Sequence, residues 1–425
     1  MYFSQQRRNW MHQITVGFGA ATLSSWLPRM VSATENKSQH KSVILLWMSG
    51  GPATIDMWDL KSGHENGGDF KAISTATSGI HISEHLPRLA HWTDELAIVR
   101  SMTSSEGDHG RGTHYVRTGY QPQGAIRFPA FGSIIAKEMA NPEAKIPNFV
   151  SIAPTRRFGT LTGGFLGPNY APLAIEADAA GTLTVANLDA PSRVDRDRVL
   201  SRQRKLNELN TTFEQRHQAS SVVQGFQAAS SRAARLMSPK AASAFDIMTE
   251  SDTARDAYGQ TSFGQGCLLA RRLVERGVRF VEVSLDGWDT HSDNFSQVAG
   301  LSSVLDKGFA TLMSDLKDRG MLESTLVVCM GEFGRTPKIN GSSGRDHYPA
   351  AWSAVLAGGG IQGGQTYGST TKDGSEVLEN PVTPPDLLAT VSSLLGVDPR
   401  KQNMSNVGRP IRVADPNATP IAELL

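Results

Sequence analysis

The stretch Val43-Ile44-Leu45-Leu46-Trp47-Met48, followed at once by Ser49-Gly50-Gly51-Pro52, decides the fold. The run has no polar position, so it lacks the alternation of a strand with one wet face. It reads as a strand buried on both faces that ends in a loop. Working outward, the same grammar recurs. A second short strand is expected at 96–99. A third, at 278–285, follows a helical pattern at 266–276. A fourth, at Thr325–Met330, follows a helix at about 301–319. A fifth is expected at 353–357. Residues 384–395 read as a helix, with proline in the first turn and Gly396 just past the end. Helices alternating with buried strands predict an α/β protein with a mostly parallel sheet covered on both faces.

The composition agrees with this reading. The chain has 425 residues, enough for one large α/β domain or two smaller ones. A formal charge of +1 excludes a global electrostatic attraction to nucleic acid or anionic membranes. Cys267 and Cys329 lie in apolar runs and read as buried free thiols, with a disulfide still open. At the N-terminus, Arg7 and Arg8 precede an apolar stretch at 14–27, and Val31-Ser32-Ala33 offers a small-residue cleavage site. This pattern resembles a twin-arginine signal over residues 1–33, which implies a periplasmic or otherwise exported protein. After a polar linker, the mature domain is expected over 42–425, with no membrane span. Residues 186–250 are rich in Ala, Gln, Ser and Arg and read as two or three amphipathic helices inserted between strands.

In open α/β sheets, ligands bind outside the carboxyl ends of the strands. Four polar clusters follow or precede strands. After the first strand come Ser49 and the glycines, then Asp56, which suits a metal or a helix cap. After the second come Asp108, His109, Gly110 and Arg111, opening a helix that ends near Gly119. A helix N-terminus with an arginine is suited to an anion. After the third come Asp286, Asp289 and His291, residue types suited to Zn²⁺ or a similar ion. The fourth combines Glu332 and Arg335 with Arg345 and His347. Here the carboxylate and imidazole are candidate ligands, and the arginines either neutralise an oxyanion or form structural ion pairs.

The runs Gly107-Asp108-His109-Gly110-Arg111, Gly287-Trp288-Asp289-Thr290-His291, Gly331-Glu332-Phe333-Gly334-Arg335-Thr336-Pro337 and Gly344-Arg345-Asp346-His347 resemble a bacterial family of uncharacterised exported proteins, often labelled sulfatase-like. Their order along the chain resembles the wider alkaline phosphatase superfamily. That resemblance implies a three-layer sandwich and a metal-dependent hydrolase of phosphate or sulfate esters. Asp286, Asp289, His291, Glu332 and His347, with His109, would hold a divalent metal, Zn being the first candidate. Arg111 would bind the ester oxyanion, and Ser49, Arg335 and Arg345 would line the substrate site. The substrate would be a small anionic ester or a sulfated or phosphorylated glycan.

The chain departs from the superfamily pattern in two places. Ser49 stands where the first metal carboxylate is expected. His109 stands where a Ser, Thr or Cys-derived nucleophile is expected, ten residues before Gly119. His109 is then a metal ligand or a covalent acceptor, or a metal-activated water attacks with no protein nucleophile. The same departures fit a second reading, a degenerate relative that binds a ligand or an envelope partner without turnover.

Overall fold

A computed structural model of the chain describes residues 41–140, 144, 146–155, 157–159, 162–185, 196–216, 236 and 239–425. The expected signal at 1–33, the linker to residue 40, and residues 186–195, 217–235 and 237–238 of the expected insertion lie outside the described residues.

The elements that build the domain are, in chain order, β1 (Ser42–Met48), β2 (Leu96–Met102), α1 (His109–Thr118), α2 (Phe131–Glu138), β3 (Phe149–Ile152), β4 (Leu173–Ala177) and β5 (Leu183–Thr184). Helices α3 (Arg196–Arg216), α4 (Pro239–Phe245), α5 (Asp252–Tyr258) and α6 (Ser262–Glu275) follow. The chain then runs through β6 (Phe280–Leu285), α7 (Asn294–Asp318), β7 (Thr325–Met330), β8 (Trp352–Gly358), β9 (Gln365–Tyr367) and α8 (Pro384–Leu394). Helices α3 and α4 fall in the segment expected to carry an insertion, between β5 and β6.

The nine strands form one sheet in the order β9-β2-β8-β7-β1-β6-β3-β4-β5. Strand β1 is central, paired in parallel with β6 on one side and β7 on the other. Every residue of β1 is buried, because its two faces meet two different cores. Ile44, Leu46 and Met48 join Leu268 of α6 and Phe309 of α7, while Val43, Leu45 and Trp47 join Val116 of α1, Ile134 of α2 and Leu388 of α8. The result is a three-layer sandwich, the α/β arrangement expected of buried strands alternating with helices.

Two strands run against the rest. Strand β5 is antiparallel to β4, and β8 is antiparallel to both β7 and β2. The reversal of β8 has a functional consequence. Its first residue, Trp352, pairs with Met102 at the carboxyl end of β2. Residues that precede β8 therefore reach the same edge as residues that follow β1, β2, β6 and β7.

Cys267 and Cys329 are both free and buried, which resolves the alternative of a disulfide. Among the described residues, no helix is long and apolar enough to cross a membrane.

Candidate metal centre

Five chain segments meet at the carboxyl edge of the parallel strands. His109 is the first residue of α1, whose start is fixed by Asp108: its side chain accepts the Arg111 N–H at 3.0 Å. Gly119, at φ +76°, ends the same helix. Asp289 and His291 leave β6, Glu332 leaves β7, and His347 sits in a short hairpin strand that pairs with Gly334–Arg335. Two glycines allow the segments to close in. A Cβ on Gly50, at φ +115°, would stand 2.5 Å from the Asp289 nitrogen, and one on Gly344 would stand 1.9 Å from the His291 carbonyl oxygen.

The three imidazoles share one hydrogen-bonding pattern. His109 Nδ1 donates to Glu332 Oε1 at 2.7 Å, an oxygen that also accepts the Gly50 N–H at 3.0 Å. His291 Nδ1 donates to Asp346 Oδ1 at 2.8 Å, and His347 Nδ1 donates to the Gly107 carbonyl at 2.8 Å. A carbonyl or an ionised carboxylate can only accept, so each ring carries its proton on Nδ1. The three Nε2 atoms then cluster around one oxygen. Asp289 Oδ1 lies 3.2 Å from His109 Nε2, 3.1 Å from His291 Nε2 and 3.4 Å from His347 Nε2. The His291 and His347 Nε2 atoms face each other at 3.0 Å.

The electrostatics favour the ligand forms of Asp289 and His347. Burial, followed by the neighbouring His109 and Arg335, lowers the pKa of His347, so its ring is neutral near pH 7. Burial alone would raise the Asp289 pKa, but the hydrogen bond and charge of Arg335, at 2.7 Å, hold it well below the usual carboxylate range. The hydrogen bond from His291 does the same, more weakly, for Asp346.

This donor set fits a metal ion. Ligand atoms of His109, Asp289 and His347 lie within 4.8 Å of one another, and His291 adjoins two of them. Bonds of about 2.0–2.1 Å in tetrahedral geometry place neighbouring ligand atoms roughly 3.3 Å apart, close to the separations seen. Imidazole with a single carboxylate suits Zn²⁺ and other first-row ions better than Mg²⁺ or Ca²⁺. The outward Nδ1 bonds to carboxylate and carbonyl are those that orient metal-binding histidines.

The other residues singled out in the sequence lie around this cluster in different roles. Glu332 is fully buried behind His109, and its second oxygen has no partner. Asp286 is exposed and accepts the N–H of Gly287. Ser49 is buried; its backbone bonds to Leu285 and Trp288 hold the β1 and β6 ends together. Arg111 turns to a forked pair with Glu106 at 2.6 and 2.8 Å, because that loop carboxylate matches its guanidinium. Arg335 is buried, and its donors reach Asp289 and the carbonyls of Gly50, Gly51 and Arg345. Arg345 is also buried, in a two-pronged pair with Asp56 at 2.7 and 2.8 Å. Asp56 is thus neither exposed to a ligand nor a helix cap. Sequence reading missed the Arg157-Phe158 pair after β3. Phe158 stacks on His109 at 4.0 Å, and Arg157 stands 3.6 Å from Asp289 Oδ2 with an exposed side chain.

A family model described as protein of unknown function (DUF1501) matches residues 40–425. No curated protein matches the chain. Among solved structures, the chain is similar to the PsFucS1 sulfatase from Pseudoalteromonas sp., with 14% identity, TM-score 0.40, and 86% of this chain and 70% of that one covered. It is also similar to an alkaline phosphatase superfamily protein from Vibrio parahaemolyticus, with 12% identity, TM-score 0.41 and coverage of 84% and 67%. A third is the C-terminal periplasmic domain of EcEptC from Escherichia coli, in complex with Zn, with 9% identity, TM-score 0.39 and coverage of 91% and 92%.

Proposed function

The chain belongs to the family described as protein of unknown function (DUF1501), and we propose that it is an exported, metal-dependent hydrolase of phosphate or sulfate esters. One observation carries the metal reading: three imidazoles, each held through Nδ1 by a carboxylate or carbonyl, bring their Nε2 atoms within 3.4 Å of one carboxylate oxygen. Without a cation, these four ligand atoms would crowd together with only Arg335, and Arg157 at 3.6 Å from the second Asp289 oxygen, as close positive partners among the described residues. His109, Asp289, His291 and His347 would hold a divalent ion, with Zn²⁺ favoured by the donor set. Bound there, the ion supplies a Lewis acid and charge stabilisation for ester cleavage.

The chain's own residues supply the rest. Glu332 and Asp346 fix the rings of His109 and His291. Arg335 keeps Asp289 ionised and in place. Arg157 receives the ester anion. Among the described residues, its guanidinium is the one beside the cluster with open donors, since those of Arg335 and Arg345 are bound within the protein and Arg111 is paired with Glu106. The Arg7-Arg8 pair and the apolar stretch after it support export.

A second reading is a binding protein without turnover. Among the described residues, no hydroxyl or thiol side chain is bonded to the cluster, and His109 occupies the start of α1. Metal analysis of the purified protein, with hydrolysis of aryl phosphates and sulfates before and after chelation, separates the two. A stoichiometric metal with chelator-sensitive hydrolysis supports the hydrolase. A stoichiometric metal with saturable ester binding and no product supports the binder. Absence of metal and of hydrolysis with any added divalent ion overturns the metal reading.

A further inference from the structure

The far end of helix α1 borders a second cleft. The helix has ten residues and spans about 15 Å, so its exit lies well away from His109 at its start. Tyr120 follows it, stacks on Phe128 at 4.7 Å and donates from its hydroxyl to the Arg412 carbonyl at 3.0 Å. That bond seats a C-terminal hairpin, Gln402–Met404 paired with Pro410–Arg412, against the helix exit. Beyond the hairpin, Asp415 and Pro416 open a tight turn. The Asp415 carboxylate accepts the Asn417 N–H at 2.9 Å, and its carbonyl accepts the Ala418 N–H at 2.9 Å.

Two cavities of about 370 and 330 Å³ lie between these segments. Each is within the usual range for ligand pockets, roughly 300–1,000 Å³. The first is lined by Tyr120, Phe128, Arg409, Arg412 and Asp415, and the second by Tyr115, Pro385, Asp386 and again Asp415. Gln123 and Asn417 also line both, so the two cavities adjoin and form one elongated cleft.

The charges along the cleft are sorted by sign. Among the described residues, the guanidiniums of Arg409 and Arg412 have no ion pair or side-chain hydrogen bond, and Asp415 has no cationic partner, although all three line one cavity. Burial and then the Asp415 charge raise the Tyr120 pKa, while Arg412 and Arg409 act in the opposite direction, so the three charges surround one phenol. In the second cavity the charged lining residues are the carboxylates Asp386 and Asp415. The cleft therefore has a cationic end and an anionic end. Between them stand the carboxamides of Gln123, Gln402 and Asn417, which both donate and accept, as a peptide group does.

We infer that this cleft binds a short peptide by its two charged ends. The terminal carboxylate would sit between Arg409 and Arg412, whose guanidiniums match its geometry. The terminal ammonium would meet Asp415, with Asp386 behind it, and the carboxamides would bond to the peptide groups between. The elongation of the cleft favours a peptide over a single amino acid, whose two charges share one carbon. The inference goes beyond the hydrolase reading and needs neither a metal nor an ester.

The test is isothermal titration calorimetry of the full purified chain with trialanine, alanine, N-acetyl-trialanine and trialanine amide. The small side chains isolate recognition of the two ends. Trialanine should bind saturably, and blocking either end should weaken binding about tenfold. Arg412→Gln and Asp415→Asn should each cause a loss of similar size, with metal content and the thermal unfolding curve unchanged. Asparagine keeps the hydrogen bond of the turn, so Asp415→Asn removes the charge alone. Absence of trialanine binding, equal binding of the two blocked peptides, or binding unchanged in both variants overturns the inference. Alanine binding as tightly as trialanine overturns the assignment to peptides.

Discussion

Two aspartate–arginine pairs sit at the same edge of the sheet and are built to opposite ends. In the Asp56–Arg345 pair, donors and acceptors match. Arg345 gives its donors to both Asp56 oxygens and to the carbonyls of Asn66, Thr336 and Pro337, and Asn294 adds a further donor to Asp56. In the Asp289–Arg335 pair, one carboxylate oxygen is bonded to Arg335 and surrounded by three imidazole Nε2 atoms. The first is saturated and shut from solvent, with both side chains fully buried. The second carries an excess of acceptors and opens toward Arg157. A saturated pair locks loops together, and an unsaturated one is ready for a cation.

Breaking each pair in turn sharpens the contrast. Asp289→Asn should abolish stoichiometric metal binding and lower ester hydrolysis by about 10⁴-fold, roughly 5.5 kcal/mol of barrier. Elemental analysis and kinetics read both, and retained metal would refute the cluster. Asp56→Ala leaves Arg345 buried and unpaired, and should destabilise the fold by about 3–5 kcal/mol in denaturant titration. The folded fraction should still bind metal at the wild-type ratio. Asp346→Asn removes the carboxylate behind His291 and should weaken metal affinity about 10–100-fold in a competition titration, with little change in stability. Arg157→Gln should raise KM for an anionic ester about tenfold, near 1.4 kcal/mol, with metal content unchanged.

The mildest perturbation is pH, applied to the metal-free protein. The His347 pKa is lower in the folded state, so the unfolded chain takes up its proton first, and stability falls as pH drops below about 6.5. Asp289, depressed by Arg335 against the effect of burial, contributes stability above about pH 3.9 that is lost as pH falls through its folded value. The melting temperature should therefore decline in two acid stages. Bound metal should move the first stage to lower pH, since metal competes with protons for the imidazoles. A melting temperature that stays flat from pH 7 to 5 without metal would contradict the neutral His347.

Much of the frame was legible because it rests on local signals. Strand Thr325–Met330 and the start of α8 follow from uninterrupted apolar residues and from proline in a first helical turn. The positions of Asp289, His291 and Glu332 near one edge follow from the rule that loops after parallel strands share that edge. The direction of β8 was not legible, because an antiparallel strand has the same apolar pattern as a parallel one. That direction is what carries His347 to the cluster. Strand β3 spans only four residues between Pro147 and Pro154, so the Arg157-Phe158 wall behind it gave no signal. The partner of each arginine was equally hidden. Arg345 meets Asp56 and Arg111 meets Glu106 through tertiary contacts that no spacing encodes.

The central place of β1 also matters for how the protein is made. Ser42–Met48 is translated early, yet its two hydrogen-bonding neighbours are Phe280–Leu285 and Thr325–Met330. At roughly 5–20 residues per second, the first strand waits on the order of 10–50 s before either neighbour exists. During that interval it is an apolar segment without charge or proline, the composition that seeds intermolecular β-pairing. Yield from a ribosome is therefore governed by how well this one nascent segment is shielded, well before the stability of the finished sheet comes into play.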